Sequence, residues 1–468
     1  MDHFGLHKRV PGMRRAGLLR LGDALLTSKR CQSRQLMGLE FSKKKGGMLN
    51  RMLVKVKSGK AFFPAVKIDL FSPGKRDTHL RELLTGSSIA FGMKIAGALL
   101  GYVFTLLIAR NFGAVAMGVF ALSLTVLNVF SILGRLGLDT ALLRFIAEYL
   151  ARDRKDLARE VYKKSLRVIV PFSLCLTGLL FLLAPYIAKY VFHKEYLSLY
   201  FRIMSLAIMP AVLTLINSQT FRAIKKIVAF SFFQNVSISL FASLFLISML
   251  VFGHANTVPV IAYVLAVATG ALLSHILLKK HADLKTVPAS NEIRFKTVLD
   301  VSLPMLFTSS VSFLLHWVDT LMLGMFRGEA EVGVFNIAVK IAMFTGVTLI
   351  AINSIAAPKF AEFYGKNDIE GLGRIARQST KLIFWTSFPI FCVVLLFPSL
   401  ILGIFGEEFK SGVAALYLLA AGQFVSAISG SVAIILNMLM VRLSPDQHPE
   451  LLDLIQYGWE ILCSPIGL

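Results

Sequence analysis

Long apolar stretches alternate with short polar connectors along most of the chain. Runs such as 168–188, 230–252 and 258–278 reach the roughly 20 residues an α-helix needs to cross a hydrocarbon core. The short alternating segments of a transmembrane β-barrel do not occur. The pattern predicts an all-α polytopic membrane protein of about ten spans, at 88–109, 116–138, 167–188, 199–221, 228–252, 258–278, 299–325, 332–356, 382–404 and 413–441. Pro171, Pro210, Pro304 and Pro389 fall inside these spans, where neighbouring helices can satisfy the backbone groups that proline frees.

The connectors test the count. One set is rich in cations: Arg144, Arg152, Arg154, Lys155, Arg159, Lys163 and Lys164; Arg222, Lys225 and Lys226; Lys279, Lys280, Lys285, Arg294 and Lys296; Lys359, Lys366, Arg374, Arg377 and Lys381. The alternate set holds only Arg110, Lys189, Lys194, Arg327 and Lys410. A miscount by one span would break the alternation. The rich side, with the N-terminus, is expected to be cytoplasmic.

Composition agrees: 56% of the 468 residues are hydrophobic, 16% are charged, and mean hydropathy is +0.69. Soluble domains carry about a quarter charged residues. The net charge of +23 is concentrated at the N-terminus, where residues 1–86 hold 19 Lys/Arg against 6 Asp/Glu. Beside a membrane domain this reads as an orientation signal and an attraction to anionic lipid rather than as a nucleic-acid site. Residues 1–85 are expected to form a basic, largely irregular cytoplasmic extension, in which Met13–Leu26 could lie on the membrane as an amphipathic helix. Met48 is an alternative start, and Leu80, Leu83 and Leu84 share one face of a helix entering the first span. Cys31, Cys175, Cys392 and Cys463 form neither a CxxC metal site nor a disulfide framework. P-loop, HExxH and GxSxG motifs are absent, so an enzyme is not expected, and no cofactor or metal is.

The second half of the chain restates the first. Gly118-Val-Phe-Ala-Leu aligns with Gly333-Val-Phe-Asn-Ile at a shift of 215, and Ala147-Glu-Tyr with Ala361-Glu-Phe at 214. Pro185, followed by Phe192-His-Lys-Glu-Tyr196, aligns with Pro398, followed by Phe405-Gly-Glu-Glu-Phe409, at 213. An even number of spans separates the copies, which makes them parallel repeats about an axis along the membrane normal. The expected domains are a first lobe of six spans at 86–280, a cytoplasmic linker at 281–298, a second lobe of four spans at 299–441 and a polar tail at 442–468.

Leu107-Ile-Ala-Arg-Asn-Phe-Gly113, Gly118-Val-Phe120, Leu136-Gly-Leu138, Ala141, Arg144-Phe-Ile-Ala147, Asp319-Thr-Leu-Met-Leu-Gly324 and Gly333-Val-Phe-Asn336 carry a family resemblance. Over about 85–441 the chain resembles bacterial polysaccharide-export flippases, the lipid-linked oligosaccharide translocases of the MATE-like MOP superfamily. The resemblance implies a multi-pass inner-membrane protein that moves a lipid-linked glycan outward by alternating access. It also implies contact with membrane lipids and with a glycan polymerase or export machinery. Family members usually have more spans in the second lobe and a shorter N-terminus. A truncated or frame-shifted reading of a longer gene is the expectation that accounts for the short second lobe and the tail.

Ionisable groups at membrane depth are functional candidates by default. Lys94 and Lys340 are the expected neutralisers of the cargo's diphosphate, with Arg144 and Asn128 as further substrate contacts. His316 and Asp319, three apart on one helix face, are the expected ion-coupling pair. Simpler roles stand beside these. Lys94 can snorkel, Asp319 and Lys340 can form a structural ion pair, His316 can be a helix contact and Arg144 an orientation charge. Asn128, Asn217, Asn235 and Asn353 read more readily as interhelical glue. A cation-coupled multidrug exporter of the same superfamily, an inactive truncated member and a membrane glycan polymerase or lipid-sugar transferase are the rival readings. The short loops of the sparsely charged side argue against the enzyme.

Overall fold

The computed structural model describes residues 78–251, 253, 255–281, 295–365 and 368–432, all within one compact unit, Lys75–Leu468. Among the described residues the regular structure is entirely helical. The expected amphipathic segment Met13–Leu26 and the polar tail 442–468 lie outside them, and the expected last span, 413–441, is described as far as residue 432. Among the described residues, six helices are long and apolar enough to cross a membrane, or up to eight if each of two bent pairs counts as one span.

Helix α1 (Thr78–Arg135) takes in the first expected span and all but the last three residues of the second. A straight helix of 58 residues would run about 87 Å, far longer than a hydrocarbon core of about 30 Å. Gly113, at φ 79° and ψ −175°, folds it into two arms. A side chain at that φ would be strained, and a Cβ there would lie 2.8 Å from the Glu408 carboxylate.

Between the second and third spans, the first half of the expected basic loop is a helix. In α2 (Leu138–Ala151), Leu138, Ala141, Leu142 and Ile146 recur at helical spacing and are buried. Helix α3 (Lys155–Tyr186) starts well before the span at 167 and ends in a π turn, Ile187–Val191. The span expected at 199–221 is two helices, α4 (Leu197–Ser205) and α5 (Ile208–Ala223), bent by 42°. Pro210 stands in the first turn of α5, where its missing N–H costs nothing. After α6 (Ile227–Ser231), the π turn Phe232–Val236 and α7 (Ser237–Leu250), the first lobe closes with α8 (Val258–His281).

The second lobe runs α9 (Phe295–Phe326), α10 (Glu329–Thr345), α11 (Val347–Gly365), α12 (Ile369–Leu396), α13 (Pro398–Gly403), a 3₁₀ turn (Glu407–Gly412) and α14 (Val413–Ser429). Its expected span at 332–356 is also broken, with a 43° bend between α10 and α11. Helix α12 begins ahead of its apolar run, capped by Asp368, whose carboxylate accepts the Gly371 N–H at 2.8 Å.

Large apolar side chains such as Leu182 on α3, Leu396 on α12 and Leu418 on α14 stand about 70–80% exposed, as a lipid-facing surface requires. Polar residues turn inward instead. The Tyr162 hydroxyl donates to Asn217 at 2.8 Å, and the Asn217 amide donates to Ser274 at 3.0 Å, tying α3, α5 and α8 together. That is the gluing role expected of Asn217.

The two lobes meet most extensively along α1 and α10. A Cβ on Gly118 would overlap the backbone carbonyl of Glu329, and one on Gly333 would overlap that of Ala114. Gly118 and Gly333 are repeat partners at a shift of 215, and so are Ala114 and Glu329. The same contact is therefore made twice, as it must be about a quasi-twofold axis.

The sparsely charged end is bonded across the lobes in the same reciprocal way. From the second lobe, Glu408 accepts the Ala114 N–H at 2.8 Å, where α1 resumes after its kink. Arg110 Nε donates to the Ile404 carbonyl at 2.6 Å. From the first lobe, Lys194 Nζ donates to the carbonyls of Gly324 and Arg327 at 3.3 and 2.5 Å and pairs with Glu329 at 3.0 Å. A carboxylate thus meets a helix N-terminus and an ammonium meets a helix C-terminus, each the favourable sign for that end of the helix dipole. Lys189, Arg327 and Lys410, also at this end, each pair with a glutamate.

Gly118→Val and Gly333→Val are each expected to lower stability by about 1–3 kcal/mol through overpacking, read as a fall in melting temperature in detergent. Gly92→Ala, whose Cβ meets open space, is expected not to lower it. Glu408→Ala, which removes a cap-like carboxylate, is expected to cost about 0.5–2 kcal/mol. Adding Lys194→Ala should lower the melting temperature further by a nearly additive step, since the two contacts share no partner.

Candidate substrate-binding site between the lobes

At the depth of the α1–α10 contact, side chains from both lobes converge on Lys340. It lies 11 residues into α10, about 17 Å of helix from the sparsely charged end, close to the middle of a core of about 30 Å. Its Nζ donates to Thr105 Oγ1 on α1 at 2.6 Å. The Thr105 hydroxyl donates in turn to the Gly101 carbonyl at 2.8 Å. The Tyr102 hydroxyl donates to the Lys340 backbone carbonyl at 2.5 Å, and its ring stacks on Phe344 with centroids 4.3 Å apart. All but the bond from Thr105 to Gly101 cross from one lobe to the other.

Lys340 is partly buried, and among the described residues no carboxylate pairs with it. An ammonium has three N–H donors. Thr105 takes one, and the other two have no described acceptor. A cation so placed at membrane depth attracts an oxyanion and repels a second cation. The repeat position of Lys340 in the first lobe is Thr125, whose hydroxyl donates to Ala121 within its own helix at 2.8 Å. The quasi-symmetric core therefore carries this charge on one side only.

The other sequence candidates stand apart from Lys340. Lys94 is exposed on the first arm of α1, and Asn128 is half-buried on the second. Arg144 is exposed on α2, outside the apolar span. Asp319 is exposed on α9 and forms no ion pair with Lys340, whose ammonium is turned to Thr105. The side chain of His316 lies outside the described residues. Arg135 pairs with Asp139 at 2.9 Å on the way into α2. Asn353 is bonded to Ser431, and Asn235, in the π turn, donates to the Ser231 carbonyl at the end of α6 at 3.1 Å. Among the described residues, no group of His, Cys, Asp and Glu side chains could hold a metal ion.

Sequence reasoning missed Thr105, Tyr102 and Glu408. Thr105 and Tyr102 are ordinary residues of an apolar span. Glu408 did leave a signal, because it sits in the Phe405–Phe409 repeat anchor at the position of Glu195.

Comparison with known proteins follows the same lines. Residues 83–364, more than half the chain, match the family described as "Polysaccharide biosynthesis protein", and residues 304–440 match MatE. An uncharacterized membrane protein of Methanocaldococcus jannaschii is 22% identical over 353 residues, 69% of this chain and 67% of its own length. A probable low-salt glycan biosynthesis flippase of Haloferax volcanii is 25% identical over 113 residues, 24% of each chain. Among solved structures, a multidrug resistance MATE family transporter of the MOP superfamily in an inward-facing conformation superposes with a TM-score of 0.59 at 17% identity, covering 81% of this chain and 86% of that one. That likeness fixes the two-lobed MATE-like fold. The chain belongs to the polysaccharide biosynthesis protein family, among the membrane transporters and flippases of the MOP superfamily.

Proposed function

We propose that this protein moves a lipid-linked oligosaccharide or polysaccharide precursor between leaflets, with Lys340 as the anchor for its diphosphate. The observation that carries this is a mid-membrane ammonium, shared between the lobes and bonded only to a hydroxyl among the described residues. A lipid-diphosphate cargo brings negative charge into a medium where an unneutralised ion costs many kcal/mol. A lysine already between the lobes offsets that cost without carrying a carboxylate of its own.

Access alternates by rocking one lobe against the other around the α1–α10 crossing, as parallel repeats allow. Movement runs from the cytoplasmic to the outer leaflet of the cell membrane, with the basic loops and the N-terminus on the cytoplasmic side. Lys94, exposed towards the basic end of α1, receives the headgroup, and Arg144 and Asn128 add contacts along the way. Asp319 and His316 bind the proton or sodium ion that resets the lobes. A glycan polymerase or export machinery would take over the delivered cargo.

A second reading, a cation-coupled multidrug exporter, is favoured by the MatE match over 304–440 and by the exposed carboxylate of Asp319. Lys340 argues against a cationic cargo.

The test follows a fluorescent lipid-diphosphate glycan in vesicles containing the protein. Lys340→Ala is expected to slow flipping by about tenfold or more, the loss of one charge-assisted hydrogen bond of about 1.5–3 kcal/mol. Equal rates for wild type and a Lys94→Ala/Lys340→Ala double variant contradict the cationic cleft. Asp319→Asn should abolish any dependence on an imposed ion gradient, whereas Asp319→Glu retains it.

A further inference from the structure

The ammonium that would hold the cargo is already engaged across the lobe boundary. Resting on the reading of Lys340 as the diphosphate anchor, we propose that it is a two-position switch. It holds either Thr105 of the opposite lobe or the cargo's diphosphate, so that binding of the anion itself unfastens the lobes.

The geometry prepares both positions. Thr105 uses its oxygen to accept from Lys340 and its proton to donate to Gly101, so its hydroxyl keeps a partner when the lysine leaves. No orphaned donor remains on α1, which keeps the departure cheap. The lysine backbone is held separately, by the Tyr102 hydroxyl on the Lys340 carbonyl and by the Tyr102–Phe344 stack. The four-carbon stem can then swing while α10 stays in register.

Without cargo, the Thr105 bond gives the ammonium a partner and adds to lobe contact at mid-depth. With cargo, a doubly charged acceptor replaces a neutral one and displaces the hydroxyl. The switch is one-sided, because the repeat position holds Thr125, which bonds within its own helix.

Competition has a consequence opposite in sign to that of a simple binding pocket. Thr105 lies beside the anion site, yet it lowers the apparent affinity, because its bond must be broken first. Removing a competing state recovers the affinity that state had masked.

The experiment measures equilibrium binding of farnesyl diphosphate to the purified full chain by calorimetry, with melting temperature recorded for every variant. Thr105→Val is expected to bind about tenfold more tightly than wild type while melting at a lower temperature without ligand. Thr105→Ser, which restores the hydroxyl, is expected to match wild type in both. Lys340→Met is expected to lose binding, alone or combined with Thr105→Val. Unchanged or weaker binding by a folded Thr105→Val, with Lys340→Met still losing the probe, overturns the switch and leaves the anchor standing. Wild-type affinity in Lys340→Met overturns the anchor and the switch together.

Discussion

Two positions without side chains set how closely the halves of this protein can meet. Gly118 and Gly333 let the backbones of α1 and α10 approach until any Cβ would collide with the opposite carbonyl. In lipid there is little hydrophobic drive between helices, so close packing and polar bonds must supply the association. The glycine crossing provides the packing. Around it gather the reciprocal bonds of Glu408 and Lys194 at one end and the Lys340–Thr105 bond at mid-depth. Larger side chains at the crossing would hold the lobes too far apart for the 2.6 Å contact between Lys340 and Thr105.

The repeat explains why these contacts come in pairs and where the pairing stops. Equivalent connections, at 192–197 and 405–410, each reach over to the kink or turn of the other lobe. Yet one presents a carboxylate and the other an ammonium, because one meets a helix N-terminus and the other a C-terminus. At mid-depth the symmetry is broken altogether, since Lys340 faces Thr105 while Thr125 turns back on its own helix. A symmetric pair of lysines there would place two like charges in a low dielectric at heavy cost. A single cation there avoids that repulsion.

Much of this was legible in the sequence. The apolar runs, the alternation of basic and sparse connectors and the offsets near 215 pointed to the helical class and the repeat. The family motifs at Gly113, Gly118 and Gly333, each weak alone, proved to be the kink and the crossing between lobes. Three things could not be read. The bends of 42° and 43° fall in runs that stay apolar throughout, marked only by Pro210 just after the first and Gly346 at the second, residues that membrane helices also carry without a break. Helix α2 was hidden in a basic connector, since its four buried residues are too few to announce a period. The Thr105 contact was invisible for a plainer reason. A threonine in a membrane span usually bonds its own backbone, and only the fold brings a lysine from 235 positions away against it.

In the proposed function the two lobes hinge at the glycine crossing and are fastened at mid-depth by the Lys340–Thr105 bond, which an anion releases. The most direct measurement of this release is the distance between spin labels at Tyr190 and Phe326, both exposed near the sparsely charged end and on opposite lobes. The account predicts a single short distance in the free protein and a second, longer population when a lipid diphosphate is added. It also predicts that the longer population is lost in Lys340→Met. One unchanging distance with and without the lipid diphosphate, in protein that still binds it, would contradict the account.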